Sequence, residues 1–275
     1  MCQLGAKGAR RRRSWPMSGE ALLDRCLAAH GGLDRWRQFG AIDVDLTTSG
    51  LVFATHGQPS LRTMARVATR EPLVVLSPYR RWPRGVFQRD RVFIEDASGR
   101  VMAERKNPRA RMGRGRRLLW WDTLDTLYFV GYALSNYVRA PFMFAQNGFH
   151  VVPAGVATFG SGTWSTLRVT FPVDEPTHCP TQVCYLDAAH LIRRLDYVAE
   201  PIGRWARAAH FCADYRESRG LRVPTRRWVV PRTSDRVVSW PPLVQIRITA
   251  VRPISDALIA DGSTHAHPSE APRSL

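Results

Sequence analysis

The sequence predicts an α+β protein, mainly antiparallel β, in which a curled half-barrel sheet carries helices packed on or in its concave face. Three observations predict it. Between Thr163 and Val251 apolar and polar residues alternate with period two, as in Leu167, Val169 and Phe171 against Arg168 and Thr170. Short turns punctuate that run at about 10-residue intervals, the rhythm of consecutive hairpins. Finally, residues 122–139 read as a helix that is apolar almost all round, and such a helix is buried on most sides.

In chain order, Ser18 precedes Glu20, Ala21, Leu22, Leu23 and Leu27, which predicts a helix to about His30; Gly31-Gly32 breaks it and Leu33 to Arg37 adds a turn. Ile42, Val44 and Leu46 alternate with Asp43 and Asp45 in a first strand. Leu51 to Thr55 and Leu61 to Thr69 are expected to continue antiparallel, followed by a buried run, Leu73 to Leu76. Arg84 to Gln88, Arg91 to Glu95 and Arg100 to Arg105 form a three-strand meander whose second turn, Asp96-Ala-Ser-Gly99, supplies the glycine a hairpin needs. A basic loop over 107–117 leads to Asp122, an N-cap for the helix ending near Arg139, where Pro141 stops it. Phe149 to Val152 reads as a short strand. Then come the long hairpins: Val183 and Tyr185, the turn Asp187 to His190, Leu191 to Ala199, His210 to Tyr215, the turn Glu217 to Gly220, Leu221 to Val230, and Leu243 to Val251. No polar linker divides the chain. The expected organisation is a flexible basic arm over 1–16, one half-barrel domain over 17–255 and a disordered tail over 256–275.

With 44% hydrophobic residues and nine Trp, the 275-residue chain can bury a sizeable core. The net charge of +17 is almost all arginine, since only Lys7 and Lys106 are lysines. Nucleic-acid binders concentrate basic residues on one stripe; here arginines are spread over most strands, which argues against nucleic acid as a partner. Five cysteines with no CxxC pair are not a disulfide framework and fit a reducing compartment. Arg10 to Arg13 are followed by Ser14 to Glu20, too polar for the apolar part of an export signal, so a cytoplasmic location is expected.

Two segments resemble the LolA/LolB/LppX-like lipoprotein-carrier fold. Gln88 to Arg100 is similar to that group's meander, and Leu186 to Tyr197 with Ala213 to Arg227 is similar to its paired late hairpins, the second ending on Gly220-Leu-Arg-Val-Pro-Thr225. The resemblance spans 18–252 and is greatest to a bacterial branch without export signals. It implies an incomplete barrel whose apolar cavity holds acyl chains or similar ligands.

The expected function is therefore binding of a lipid or other apolar small molecule in that cavity, the alternative being an enzyme acting on such a molecule. On the helix, Asp125, Tyr128, Tyr132 and Asn136 are polar handles for a ligand, and Tyr197 offers another from a strand. In a bland reading Asp122 and Asp125 serve the helix terminus and the tyrosines are core. His210, Cys212 and Asp214 share one face of a strand, which makes His210 and Asp214 the catalytic candidates. Ordinary polar-out alternation would instead turn that face to solvent and send Phe211, Ala213 and Tyr215 inward. His178, Cys179, Cys184, His190, His210 and Cys212 have no tight ligand spacing, so neither metal nor cofactor is expected. Trp120-Trp121 beside Arg116-Arg117, and Arg80-Arg81-Trp82, suit peripheral contact with an anionic membrane.

Overall fold

The computed structural model describes residues 18–159, 162–233 and 236–256. The basic arm over 1–16 and the tail after Asp256 lie outside them. The order of elements is α1 (Gly19–Ala29), α2 (Leu33–Arg37), β1 (Phe39–Ser49), α3 (Leu51–Thr55), β2 (Leu61–Ala68), β3 (Leu73–Ser77), β4 (Arg84–Gln88), β5 (Arg91–Glu95), β6 (Val101–Lys106), α4 (Thr123–Arg139), β7 (His150–Phe159), β8 (Gly162–Thr170), β9 (Thr181–Leu186), β10 (Ile192–Val198), β11 (Arg207–Ser218), β12 (Leu221–Pro231) and β13 (Val244–Ser255).

All thirteen strands form one open antiparallel sheet, ordered β6-β5-β4-β3-β2-β1-β13-β12-β11-β10-β9-β8-β7. From β1 the chain winds outward to one edge, β6. It then crosses to the opposite edge, β7, through α4, and winds back until β13 pairs with β1. The helix is thus the strap between the two halves of the sheet. On one side it packs on β2, β3, β4 and β5. From its last turns Tyr137 reaches Tyr197 of β10, His210 of β11 and Arg227 of β12. A sheet touching one helix from both halves is curled around it, as the sequence predicts.

The alternation translates directly into faces. In β2, Leu61, Thr63, Ala65 and Val67 are buried while Arg62 and Arg66 are not. Several of these outward arginines pair across strands: Arg66 with Asp43 at 2.8 Å, Arg252 with Asp45 at 2.7 Å, and Arg91 with Glu104 at 2.9 Å. Asp256, expected to open the tail, is held by Arg70 at 2.6 Å.

Two expectations are corrected. Leu51 to Thr55 is a helical turn, α3, and not a strand. Gly50 turns the chain with φ 128°, and the Leu51 and Val52 N–H groups donate to the carbonyls of Pro242 and Leu243. Five apolar residues fit either period, so only these tertiary partners decide. The short strand at Phe149 runs on to Phe159, past Pro153 and a bulge before Gly155. The proline is tolerated because β7 is an edge and needs no second ladder there.

α4 begins where the sequence places it. Asp122 is the N-cap, and its side chain accepts from the Asp125 N–H at 2.9 Å while Asp125 accepts from the Asp122 N–H at 3.2 Å. Two arginines clamp this box: Arg105 of β6 to Asp125 at 2.6 Å and Arg117 to Asp125 at 2.9 Å. Burial works to raise the Asp122 pKa, yet the Arg105 guanidinium prevails and holds the carboxyl at about 2. At the other end Arg139, fully buried, is paired with Glu175 and hydrogen-bonded to Ser135 and Gln146. Between them Gly131 lets the helix approach β4, for a Cβ there would lie 2.3 Å from that of Phe87. We expect Gly131→Ala to destabilise the fold by about 1–3 kcal/mol through overpacking, measured as a lower denaturant midpoint. A raised midpoint, which helix propensity alone would give, would show that the approach is slack.

Candidate functional site

α4 leans on the β2–β5 half of the sheet, and the space left against the other half is a cavity of about 430 Å³. One α4 stripe lines it: Phe129, Val130, Ala133, Leu134 and Tyr137. Opposite stand Thr48 of β1, Ala208 of β11, Val229 of β12, and Val244 and Ile246 of β13, with α3 and the β10–β11 loop closing the sides. The walls are almost wholly apolar. Such a volume lies within the usual range for small-molecule sites.

Burial gives the cavity a direction. At the mouth Leu51 and Trp205 are exposed, whereas Tyr137, His178 and Tyr197 at the inner end are buried. These inner residues form a hydrogen-bonded chain. Tyr132 Oη lies 3.0 Å from His178 Nδ1, His178 Nε2 is 2.9 Å from Tyr137 Oη, and Tyr137 Oη is 2.8 Å from Tyr197 Oη. The His178 ring stacks on Tyr197 with centroids 3.9 Å apart, and His210 sits against Tyr137 at 4.1 Å. Burial lowers the His178 pKa to about 3, with Arg109 adding to it, and burial raises those of Tyr132, Tyr137 and Tyr197. The inner end is therefore polar but uncharged.

Of the residues expected to contact a ligand, Tyr197 lines this cavity; the others do not. Asp125 is consumed by the arginine clamp. Tyr128 faces a separate groove beside Arg109. Tyr132 lies behind His178, and the Asn136 amide donates to the carbonyls of Tyr132 and Pro176. The sequence reading followed polar residues along α4, whereas the cavity follows the apolar stripe. Ala133, a small residue among large ones, was the available signal.

His210 and Asp214 are separated. The alternative with His210 and Cys212 turned inward holds, but Asp214 adopts φ 54° between two β11–β12 pairs, Ala213 with Arg226 and Tyr215 with Pro224. The flanking pairs keep one unbroken register, with Asp214 opposite Thr225, whose hydroxyl donates to the Asp214 carbonyl at 2.6 Å. With its backbone in the left-handed region Asp214 is exposed, while Tyr215 packs beside His30. His210 itself is fully buried, near Cys212 and outside the cavity wall. The predicted row of three thus ends at Cys212, and Thr225 of the late hairpin bonds the backbone where it ends.

With this geometry in place, solved structures supply the comparison. A LolA superfamily protein from Nitrosomonas europaea has a TM-score of 0.50 at 9% identity, over 87% of this chain and 94% of that one. A DUF1329 family protein from Desulfovibrio piger gives 0.47 at 13% identity, over 89% and 98%. No family model and no curated protein matches the sequence. The fold is LolA-like, a curled, unclosed half-barrel of the kind the sequence resemblance implied.

Three buried histidines set a pH dependence. Burial lowers the pKa of His30 to about 4 and of His178 to about 3, and lowers that of His210 as well. Unfolded, each takes up its proton near 6.5. Between that value and about 4 the unfolded chain binds protons that the folded one refuses, so stability is full above it and falls with pH. Each histidine contributes up to about 1.4 kcal/mol per pH unit. Unfolding midpoints should drop steadily over that range; a flat profile would mean these rings are accessible to protons in the folded state.

Proposed function

We propose that this chain binds a lipid or another apolar small molecule between α4 and the β1, β11, β12 and β13 strands. The observation that carries the proposal is the cavity itself, largely apolar along its walls with a hydrogen-bonded tyrosine–histidine chain at the buried end. An apolar guest would gain roughly 25 cal/mol for each Å² of its surface withdrawn from water. The LolA-like fold supports the reading. The four described cysteines are buried and unpaired, which supports a reducing, cytoplasmic setting. Acid–base turnover by His210 with Asp214 has no shared site to act in. Native mass spectrometry of gently purified protein followed by organic extraction should find a bound apolar compound, and Ala133→Phe, which fills the cavity, should abolish its retention. Equal retention by the variant would place the guest elsewhere.

The rim of the mouth supports a second element of the proposal, peripheral contact with an anionic membrane. Trp120 lies against Gly57 just after α3, Leu51 begins that helix, and the Leu51 N–H bonds the carbonyl of Pro242, two residues after Trp240. Leu51, Leu119, Trp120, Trp205 and Trp240 are all exposed. Arg114, Arg116, Arg204, Arg207 and Arg236 stand exposed among them. Aromatic rings with adjacent cations suit the headgroup layer, and no described helix is long and apolar enough to cross a membrane. Sedimentation with phosphatidylserine-containing vesicles should therefore be salt-sensitive and weakened by Trp120→Ala combined with Trp205→Ala. Binding indifferent to both salt and these changes would refute the contact.

A further inference from the structure

The hydrogen-bonded chain at the inner end of the cavity has only two consistent directions. Neutral histidine carries one N–H and one bare nitrogen, so of the two phenols touching His178 one donates and the other accepts. If Tyr132 donates to Nδ1, then Nε2–H donates to Tyr137, Tyr137 donates to Tyr197, and the Tyr197 hydrogen is left over. In the reverse direction every step inverts, and the leftover hydrogen belongs to Tyr132.

The two ends are not equivalent. Tyr132 is fully buried, lies outside the cavity wall, and its hydroxyl touches no other partner among the described residues. A hydrogen left there has nothing to bond, and an unsatisfied buried donor is unfavourable. Tyr197 faces the cavity, where a guest or a water can take the hydrogen. The forward direction therefore wins, and the chain presents one hydroxyl donor at the inner end of a largely apolar chamber.

We propose that Tyr197 is the ligand-contacting end of a Tyr132–His178–Tyr137–Tyr197 relay, and that the cavity selects a guest carrying an uncharged hydrogen-bond acceptor, such as a ketone or ester oxygen, at its buried end. This rests on the proposed cavity binding and names the chemistry of the guest. A carboxylate is disfavoured because the inner end offers it no cation: of the two arginines that line the chamber, Arg207 is exposed and Arg232 is paired with Asp196. Arg227 lies beyond Tyr137, donating to the Tyr137 carbonyl and to Cys212, and does not line the chamber. A bare hydrocarbon fits but leaves the donor unused.

The test displaces the apolar dye N-phenylnaphthylamine from the full chain with dodecyl methyl ketone, with tridecane and with the matching carboxylic acid. The ketone should displace the dye at a concentration about three- to tenfold below that of tridecane, the worth of one net hydrogen bond, with the acid weakest. Tyr197→Phe should bring the ketone down to the level of tridecane. Tyr132→Phe should keep the ketone preference, because the forward direction then leaves only a bare Nδ1 whereas the reverse would strand the Nδ1–H; loss of the preference in that variant would show that the direction is not set in this way. Equal displacement by ketone and alkane in the unaltered protein, a ratio surviving Tyr197→Phe, or tightest binding of the acid would each overturn the inference. Failure of the dye itself to bind would instead overturn the cavity reading on which it rests.

Discussion

A helix that is apolar on nearly every side must be covered on nearly every side, and much of this architecture follows from that constraint. Sixteen of the seventeen α4 residues, from Leu124 to Arg139, are buried. A flat sheet covers one flank of a helix, so the strands on either side of β1 have to bend around it. The helix ends, which carry unpaired N–H and C=O groups, are anchored by charge: Asp122 and Asp125 with Arg105 and Arg117 at one end, Arg139 with Glu175 at the other. Breaking such a buried cluster by removing one partner is costly, because the remaining charge is stranded away from water.

The cavity is a consequence of how unevenly that helix is seated. Gly131 draws α4 onto Phe87 of β4, and the opposite wall of the half-barrel is then too far away for α4 side chains to fill the gap. Ala133 widens it. The chamber is thus the remainder of a close contact on the other side of the helix, and its position is as well determined as that contact.

Polar groups inside the half-barrel divide by charge. Charged ones meet a partner at short range, as with Arg139 and Glu175, and their work is structural. Neutral ones, His178 with three tyrosines, gather where the chamber ends. Tyr137 belongs to both populations: its hydroxyl serves the neutral chain, while its ring and carbonyl engage the Arg227 guanidinium. Several arginines are likewise tied into pairs across the outer face of the sheet.

Local patterns made a good part of this legible. Period-two alternation marked β2, β5 and β8 to β13, Asp122 marked the start of α4, and the all-round apolarity of 122–139 required a curled sheet to receive it. These signals survive because each depends on neighbours a few residues apart. The helical identity of Leu51 to Thr55, the continuation of β7 past Pro153 and the outward turn of Asp214 were not legible, since each is decided by a partner far along the chain: Pro242 and Leu243, the sheet edge, and Thr225. The same holds for the site. That a hollow exists could be read from the residues, but which stripe of α4 lines it depends on where β4 pulls the helix, a contact between positions 87 and 131 that no local pattern records.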